Sequence, residues 1–195
     1  MFPNADQLKF AFVALCVLAS FSYGKRVCDT RDAFYLRIAM CLTVCADFCL
    51  LILYQNIPGI LFFCCVQCAY TARYGGYRRA ALLLAVWAVL FPMFIIMLPF
   101  QTAVSAVYAV SFAFSLFSAA EAFAKKIYPF PNGILALLGM CLFAICDINV
   151  AMYNTHIPFF DARAAVIFTV MWAAYLPAQA MLSASGFGYR FAARK

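Results

Sequence analysis

The chain has 195 residues, of which 68% are hydrophobic and only 11% charged, against about 25% charged in a soluble domain. A globule of this size cannot cover so much apolar surface, so the composition excludes both a water-soluble domain and a disordered chain and makes lipid the solvent. The net charge of +7 lies in short segments between apolar runs. No basic face with interleaved aromatics stands free of the membrane, so nucleic-acid binding is excluded and membrane orientation accounts for the charge.

Apolar runs of about 17–25 residues are candidate transmembrane helices. The first is Leu8–Gly24. Its leading segment carries Lys9 against Asp6, a poor positive region for a signal peptide, so it reads as a retained span. Further runs are Ala33–Tyr54, Ile57–Tyr74, Ala80–Leu98, Thr102–Phe123, Gly133–Tyr153 and Ala164–Ser185. Pro58, Pro99, Pro129, Pro131 and Pro158 fall in or beside the connections, while Pro92 and Pro177 fall within spans and are expected to kink them. The expected fold is all-α: a single transmembrane domain over 1–195, a bundle of about seven spans.

Basic residues alternate between connections. Lys25, Arg26 and Arg31 lie in the first, with Arg37 just beyond it. Arg73, Arg78 and Arg79 lie in the third, Lys125 and Lys126 in the fifth, and Arg190, Arg194 and Lys195 in the tail. The second and fourth connections have none and the sixth only Arg163. The positive-inside rule then puts the N-terminus outside and the C-terminus in the cytoplasm. Short basic turns and no soluble domain suit a bacterial cytoplasmic membrane.

Residues 40–58 and 140–158 share an ungapped echo at an offset of 100. Met, Cys, Leu, Asp, Ile and Pro recur at 40, 41, 42, 47, 57 and 58, or 6 of 19 positions. Either a repeat or the biased composition accounts for them. A repeat here runs parallel, because the second and sixth spans point the same way.

Asp47 and Asp147 are the acids of these stretches. Each lies about 21 Å past the cytoplasmic start of its span, beyond the midplane. A charge there costs at least about 2.5–3.5 kcal/mol, so the acids should face a polar interior. Two close acids can share one proton and work as an acid and a base; a structural pair, bonded across the bundle, is the plainer alternative. Glu121 reads as an i, i+4 ion pair with Lys125. Gln67, Tyr70 and Tyr74 share one face of the third span, and Tyr175 and Gln179 one face of the seventh, as headgroup ligands or as interhelical hydrogen bonds. The serines of the fifth span and Tyr108 read as small and mildly polar packing residues.

Most of the ten cysteines lie within spans, so no disulfide framework is expected. Cys41, Cys45 and Cys49 form a stripe, and Cys65 and Cys68 a Cys-x-x-Cys without redox context. The single histidine, His156, sits in an outer connection, and no metal site is expected. No nucleophile elbow, HExxH or P-loop occurs, and no cofactor is expected.

The stretch CADFCLLILYQNIPGILFFCCVQCAY resembles a segment of the YhhN-type, lysoplasmalogenase-like membrane family. Asp47, Gly59, Phe63 and Tyr70 match its motif, with Gln67 where the family usually has His. GMCLFAICDINVAM and YLPAQAMLSAS resemble its closing helices through Asp147, Tyr175 and Gln179. Ala46 and Cys146 replace the Gly and Ser that precede the family's acids, and the family usually has eight spans. The resemblance implies hydrolysis of the vinyl ether of a lysophospholipid by the Asp47–Asp147 pair, with Gln67, Tyr70, Tyr175 and Gln179 around the substrate and membrane lipids as surroundings. A transporter or channel using the acid pair, or a non-catalytic lipid-binding protein, are the competing readings.

Overall fold

The computed structural model describes residues 3–24, 26–154 and 158–189. Lys25, His156, Ile157, Arg190, Arg194 and Lys195 lie outside the described residues. The helices are α1 (Pro3–Ser22), α2 (Thr30–Asp47), continued by a π-helical turn (Phe48–Ile52), α3 (Asn56–Gly75), α4 (Tyr77–Met97), α5 (Phe100–Ala124), α6 (Asn132–Asn154), α7 (Pro158–Asp161) and α8 (Ala164–Ala184). No strand occurs among the described residues; one isolated bridge joins Val27 to Phe187.

All seven apolar runs are helical, and six of the helices are long and apolar enough to cross a membrane. The exception is α3. It is diluted by Asn56, Gln67, Thr71 and Arg73, and eleven of its 20 residues are buried. Protein rather than lipid therefore surrounds much of it. In contrast α4 fully buries only Leu83 and leaves much of its apolar surface exposed, as a lipid-facing helix does.

The packing order is a closed ring. Helix α1 packs on α2, α2 on α3, α3 on α5, α5 on α6, α6 on α8, and α8 returns to α1. Helix α4 lies outside, against α3 and α5. Opposite members of this ring are α1 and α5, α2 and α6, and α3 and α8.

Helices α2 and α6 turn inward in the same register. Over residues 32–46 and 132–146, fifteen consecutive positions, the order of buried, half-buried and exposed residues is identical. Each series buries positions about 3.6 residues apart, so one stripe of each helix faces the core. Both stripes begin with a buried polar residue. Asp32 takes two hydrogen bonds from Arg73, at 2.7 and 2.8 Å. Asn132 donates to the carbonyls of Ser185 and Phe187, at 2.7 and 2.6 Å.

These anchors gather the basic connections at one end of the bundle. Arg73 also lies beside the rings of Tyr74 and Tyr128, and Tyr128 donates to the Arg73 carbonyl at 2.9 Å. Burial pushes the Tyr128 hydroxyl well above its ordinary range, which keeps it a donor. Glu121 pairs with Lys125, as its spacing suggests, and also with Arg79 of α4.

Candidate functional site: two carboxyls held by tyrosines

Asp47 and Asp147 follow directly after the matched stripes of α2 and α6. Both stand towards the far end of the bundle from the basic connections. Directly after Asp47 the backbone widens: Leu53 N–H reaches back to the Phe48 carbonyl at 3.0 Å, and Gln55 N–H to Cys49 at 2.8 Å. Helix α6 has no such turn and runs on to Asn154. Extra-wide turns of this kind cluster at functional sites. Gly59 of α3 fits against this turn; a Cβ there would come within 2.5 Å of Leu50 and 3.3 Å of the Ala46 carbonyl.

Each acid has its own tyrosine. Tyr175 of α8 donates to Asp47 Oδ2 at 2.7 Å, across the bundle. Tyr108 of α5 donates to Asp147 Oδ2 at 2.6 Å. Asp47 is buried, whereas Asp147 is half-buried. No hydrogen bond joins the two carboxyls among the described residues, so the directly shared proton expected from two close acids has no such bond here to carry it. Cys146, one residue before Asp147 and buried, lies within electrostatic reach of both.

Aromatic rings fill the space between the two pairs. Phe143, one turn before Asp147, meets Tyr175 at 5.6 Å between centroids and Phe63 at 5.8 Å. Phe63 in turn meets Tyr108 at 5.9 Å. The two hydroxyl–carboxyl pairs are therefore ends of one packed, apolar core.

The other sequence candidates divide. Gln67 is fully buried beside Tyr108; its Oε1 accepts from Ser115 at 2.6 Å and its Nε2 has no hydrogen-bond partner. Gln179, one turn beyond Tyr175, is fully buried with neither amide atom bonded. Tyr70 points elsewhere: it stacks on Tyr74 at 5.8 Å and its hydroxyl meets Met40 Sδ at 3.6 Å, two turns before Asp47. It belongs with the Arg73 anchor, and hydrogen-bonds to neither acid.

Sequence reasoning passed over Tyr108 as packing. The signal was its spacing: Tyr108, Ser111, Ser115 and Ser118 recur at three and four residues, which is one helix face. All three serines of that face are buried and bonded, to Trp87, Gln67 and Arg79 in turn.

Among the described residues no group of three or more His, Cys, Asp or Glu side chains is placed to hold a metal ion. Chemically, the site offers two carboxyls, each with Oδ2 fixed by a phenol and Oδ1 without a hydrogen bond from the described residues, on either side of an aromatic core. No protein-family model matches the chain, and neither the curated proteins nor the solved structures contain a significant match.

Proposed function

We propose that the chain is a seven-span protein of a bacterial cytoplasmic membrane, with α3 as a shielded third span, the N-terminus outside and the C-terminus in the cytoplasm. The basic end of the bundle is then cytoplasmic and the acid pair lies in the outer half. We further propose that it hydrolyses the vinyl ether of single-chain lysophospholipids, in the manner of the YhhN-type family it resembles.

The observation that carries this reading is the pair of carboxyls at equivalent positions of α2 and α6, each fixed by a tyrosine from another helix and separated by aromatic rings. A vinyl ether hydrolyses by protonation at its outer alkene carbon. One carboxylic acid supplies that proton, and the C=C electrons form the new C–H bond. The ether carbon becomes an oxocarbenium ion, which the resulting carboxylate and the aromatic faces stabilise. Water adds to this carbon and gives its proton to the second carboxylate. The hemiacetal then collapses: the second acid, now protonated, gives its proton to the departing ether oxygen as the C–O bond breaks, and the first carboxylate takes the hydroxyl proton as the aldehyde C=O forms. A fatty aldehyde and a glycerophospho-alcohol leave, both carboxyls return to their starting states, and one water is consumed. Tyr175 and Tyr108 are positioning residues, holding the carboxyls in one orientation.

The deciding experiment is aldehyde release from a vinyl-ether lysophospholipid by purified protein, beside Asp47→Asn and Asp147→Asn. Release that both substitutions abolish, in variants that still melt cooperatively in detergent, supports the reading. A well-folded wild-type protein that releases no aldehyde from several headgroup classes overturns it.

A second reading is transport, and the matched burial of 32–46 and 132–146 favours it. Parallel repeats about an axis along the membrane normal also build transporters, with acids at the repeat interface. Uptake of a cation or solute into proteoliposomes, lost in the same two variants without any aldehyde release, would select transport.

A further inference from the structure

Lys9 and Asp6 stand one turn apart near the start of α1 and form an ion pair at 2.8 Å. An exposed pair of this spacing would lie in water and contribute little. This one is turned inward: the side chains are 13% and 9% exposed. The Lys9 ammonium lies over two rings of α8, 3.8 Å from the centroid of Trp172 and 4.7 Å from that of Phe168. A cation between aromatic faces and a carboxylate is the arrangement by which proteins recognise alkylammonium groups.

The box adjoins the acid site. Phe168, Trp172, Tyr175 and Gln179 follow helical spacing along one face of α8. Trp172 meets Tyr175 edge-on at 5.7 Å, and Tyr175 holds Asp47. The Trp172 indole N–H is buried and has no hydrogen-bond partner, so a donor is left over beside a site already built for a cation.

We propose that Asp6, Trp172 and Phe168 form a binding site for the ammonium of a zwitterionic phosphate–ammonium headgroup, which the protein's own Lys9 occupies until the headgroup displaces it. The inference rests on the lipid-hydrolase reading only in making the headgroup part of that site's substrate.

Charge balance selects the zwitterion. A plain cation that expelled Lys9 would leave two cations against the single carboxylate of Asp6. An anionic headgroup brings nothing to replace Lys9 between the rings. A phosphate–ammonium group exchanges partners at constant net charge. Its ammonium takes Asp6 and the rings, its phosphate takes the released Lys9, and the Trp172 N–H is a further donor for a phosphate oxygen.

The chain has two tryptophans, so Trp87→Phe leaves Trp172 as the only indole reporter. Its emission is titrated in a maltoside detergent with lysophosphatidylcholine, lysophosphatidylglycerol, phosphocholine and choline. Lysophosphatidylcholine is expected to shift the emission saturably, and lysophosphatidylglycerol to leave it unchanged over the same range. Choline should act only at high concentration, and Lys9→Met should lower that concentration at least about tenfold, because the box no longer holds its own cation. A response to phosphocholine assigns the site to the headgroup alone, and a response confined to the lipid assigns it to membrane lipid; both support an ammonium site. Equal responses to the choline and glycerol lipids, or identical choline titrations with and without Lys9, overturn the proposal. If the Trp87→Phe protein fails to melt cooperatively, the same titrations are read with both tryptophans and Trp172→Phe supplies the background. Binding is read without turnover, so a protein that passes here but releases no aldehyde sinks hydrolysis and leaves the ammonium site standing.

Discussion

Tyr175 on α8 donates a 2.7 Å hydrogen bond to Asp47 on α2, two residues 128 positions apart in the chain. Beyond this contact the two helices touch little, since α8 packs mainly on α6 and α1. The hydroxyl therefore fixes an acid that its own neighbours leave unbonded at that oxygen. Removing it with Tyr175→Phe leaves Asp47 buried with one donor fewer, a loss of about 1.5–3 kcal/mol for a hydrogen bond to a charged group. If that bond positions the carboxyl, kcat for aldehyde release should fall about tenfold to a hundredfold, with KM nearly unchanged. Tyr108→Phe should cost less, because Asp147 is half-buried and water can replace the phenol. Kinetics of the two variants side by side check this; an equal or reversed order would show that the tyrosines do not act through the burial of their acids.

The Arg73–Asp32 pair is another long-range polar contact, and it lies at the opposite end. Both side chains are almost fully buried, and the two bonds are side-on from Nε and Nη2 to the two carboxylate oxygens. Breaking one partner of such a pair typically costs about 3–5 kcal/mol, since an unpaired charge stays behind, whereas removing both is often neutral. Arg73→Met is therefore expected to lower the melting temperature sharply or to abolish folding. The double variant Arg73→Met, Asp32→Leu should recover most of the loss. Thermal melts of the three proteins in one detergent test it. A double variant no better than the single one would mean that Arg73 is held mainly by Tyr74 and Tyr128.

The helices were legible because their apolar runs are long and bounded by proline, glycine and charge. The acid pair was legible for a simpler reason: acids within apolar runs are rare enough to stand out. The partners were not. Tyr108 and Tyr175 lie on other helices, and which hydroxyl meets which acid depends on a ring order of helices that periodicity does not encode. The offset of 100 showed six identities in the sequence, yet the structure matches all fifteen positions from 32 to 46 in burial. Burial is set by which face turns inward, and that face survives exchanges such as Leu36 for Ala136 or Thr43 for Phe143. Tyr70 shows what a shared face leaves open. It shares a face with Gln67, but a residue three positions on sits about 4.5 Å further along the axis, far enough to join the Arg73 cluster instead.

The count of spans turns on α3, whose polar residues keep it below the hydropathy of the other long helices. If α3 crosses the membrane, the single residue Gly76 between α3 and α4, with φ +81°, marks a tight turn at the cytoplasmic face. A cysteine placed at Lys126 should then share that side, and one at Tyr54 the other. In a background with the native cysteines replaced, a membrane-impermeant maleimide should label Tyr54→Cys in intact cells and Lys126→Cys only after permeabilisation. Labelling of both from outside would break the alternation and with it the seven-span reading.

The π-helical turn after Asp47 gives the last test. Leu50 lies within that turn, and Gly59 of α3 leaves room for it; a Cβ at Gly59 would stand 2.5 and 2.7 Å from Leu50 side-chain atoms. Ala46, whose carbonyl faces the same point, immediately precedes Asp47. Gly59→Ala forces the Leu50 side chain to a new position or parts α3 from the turn, and the second displaces the segment that carries the acid. Overpacking of this kind typically costs about 1–3 kcal/mol. The companion Gly59→Ala, Leu50→Ala removes the clash while leaving the new methyl in place. The single variant should lose both melting temperature and aldehyde release, and the double variant should regain the activity more fully than the stability, because Leu50 itself contributes packing. Should Gly59→Ala retain full activity at a lowered melting temperature, the turn shapes the fold but not the placement of Asp47.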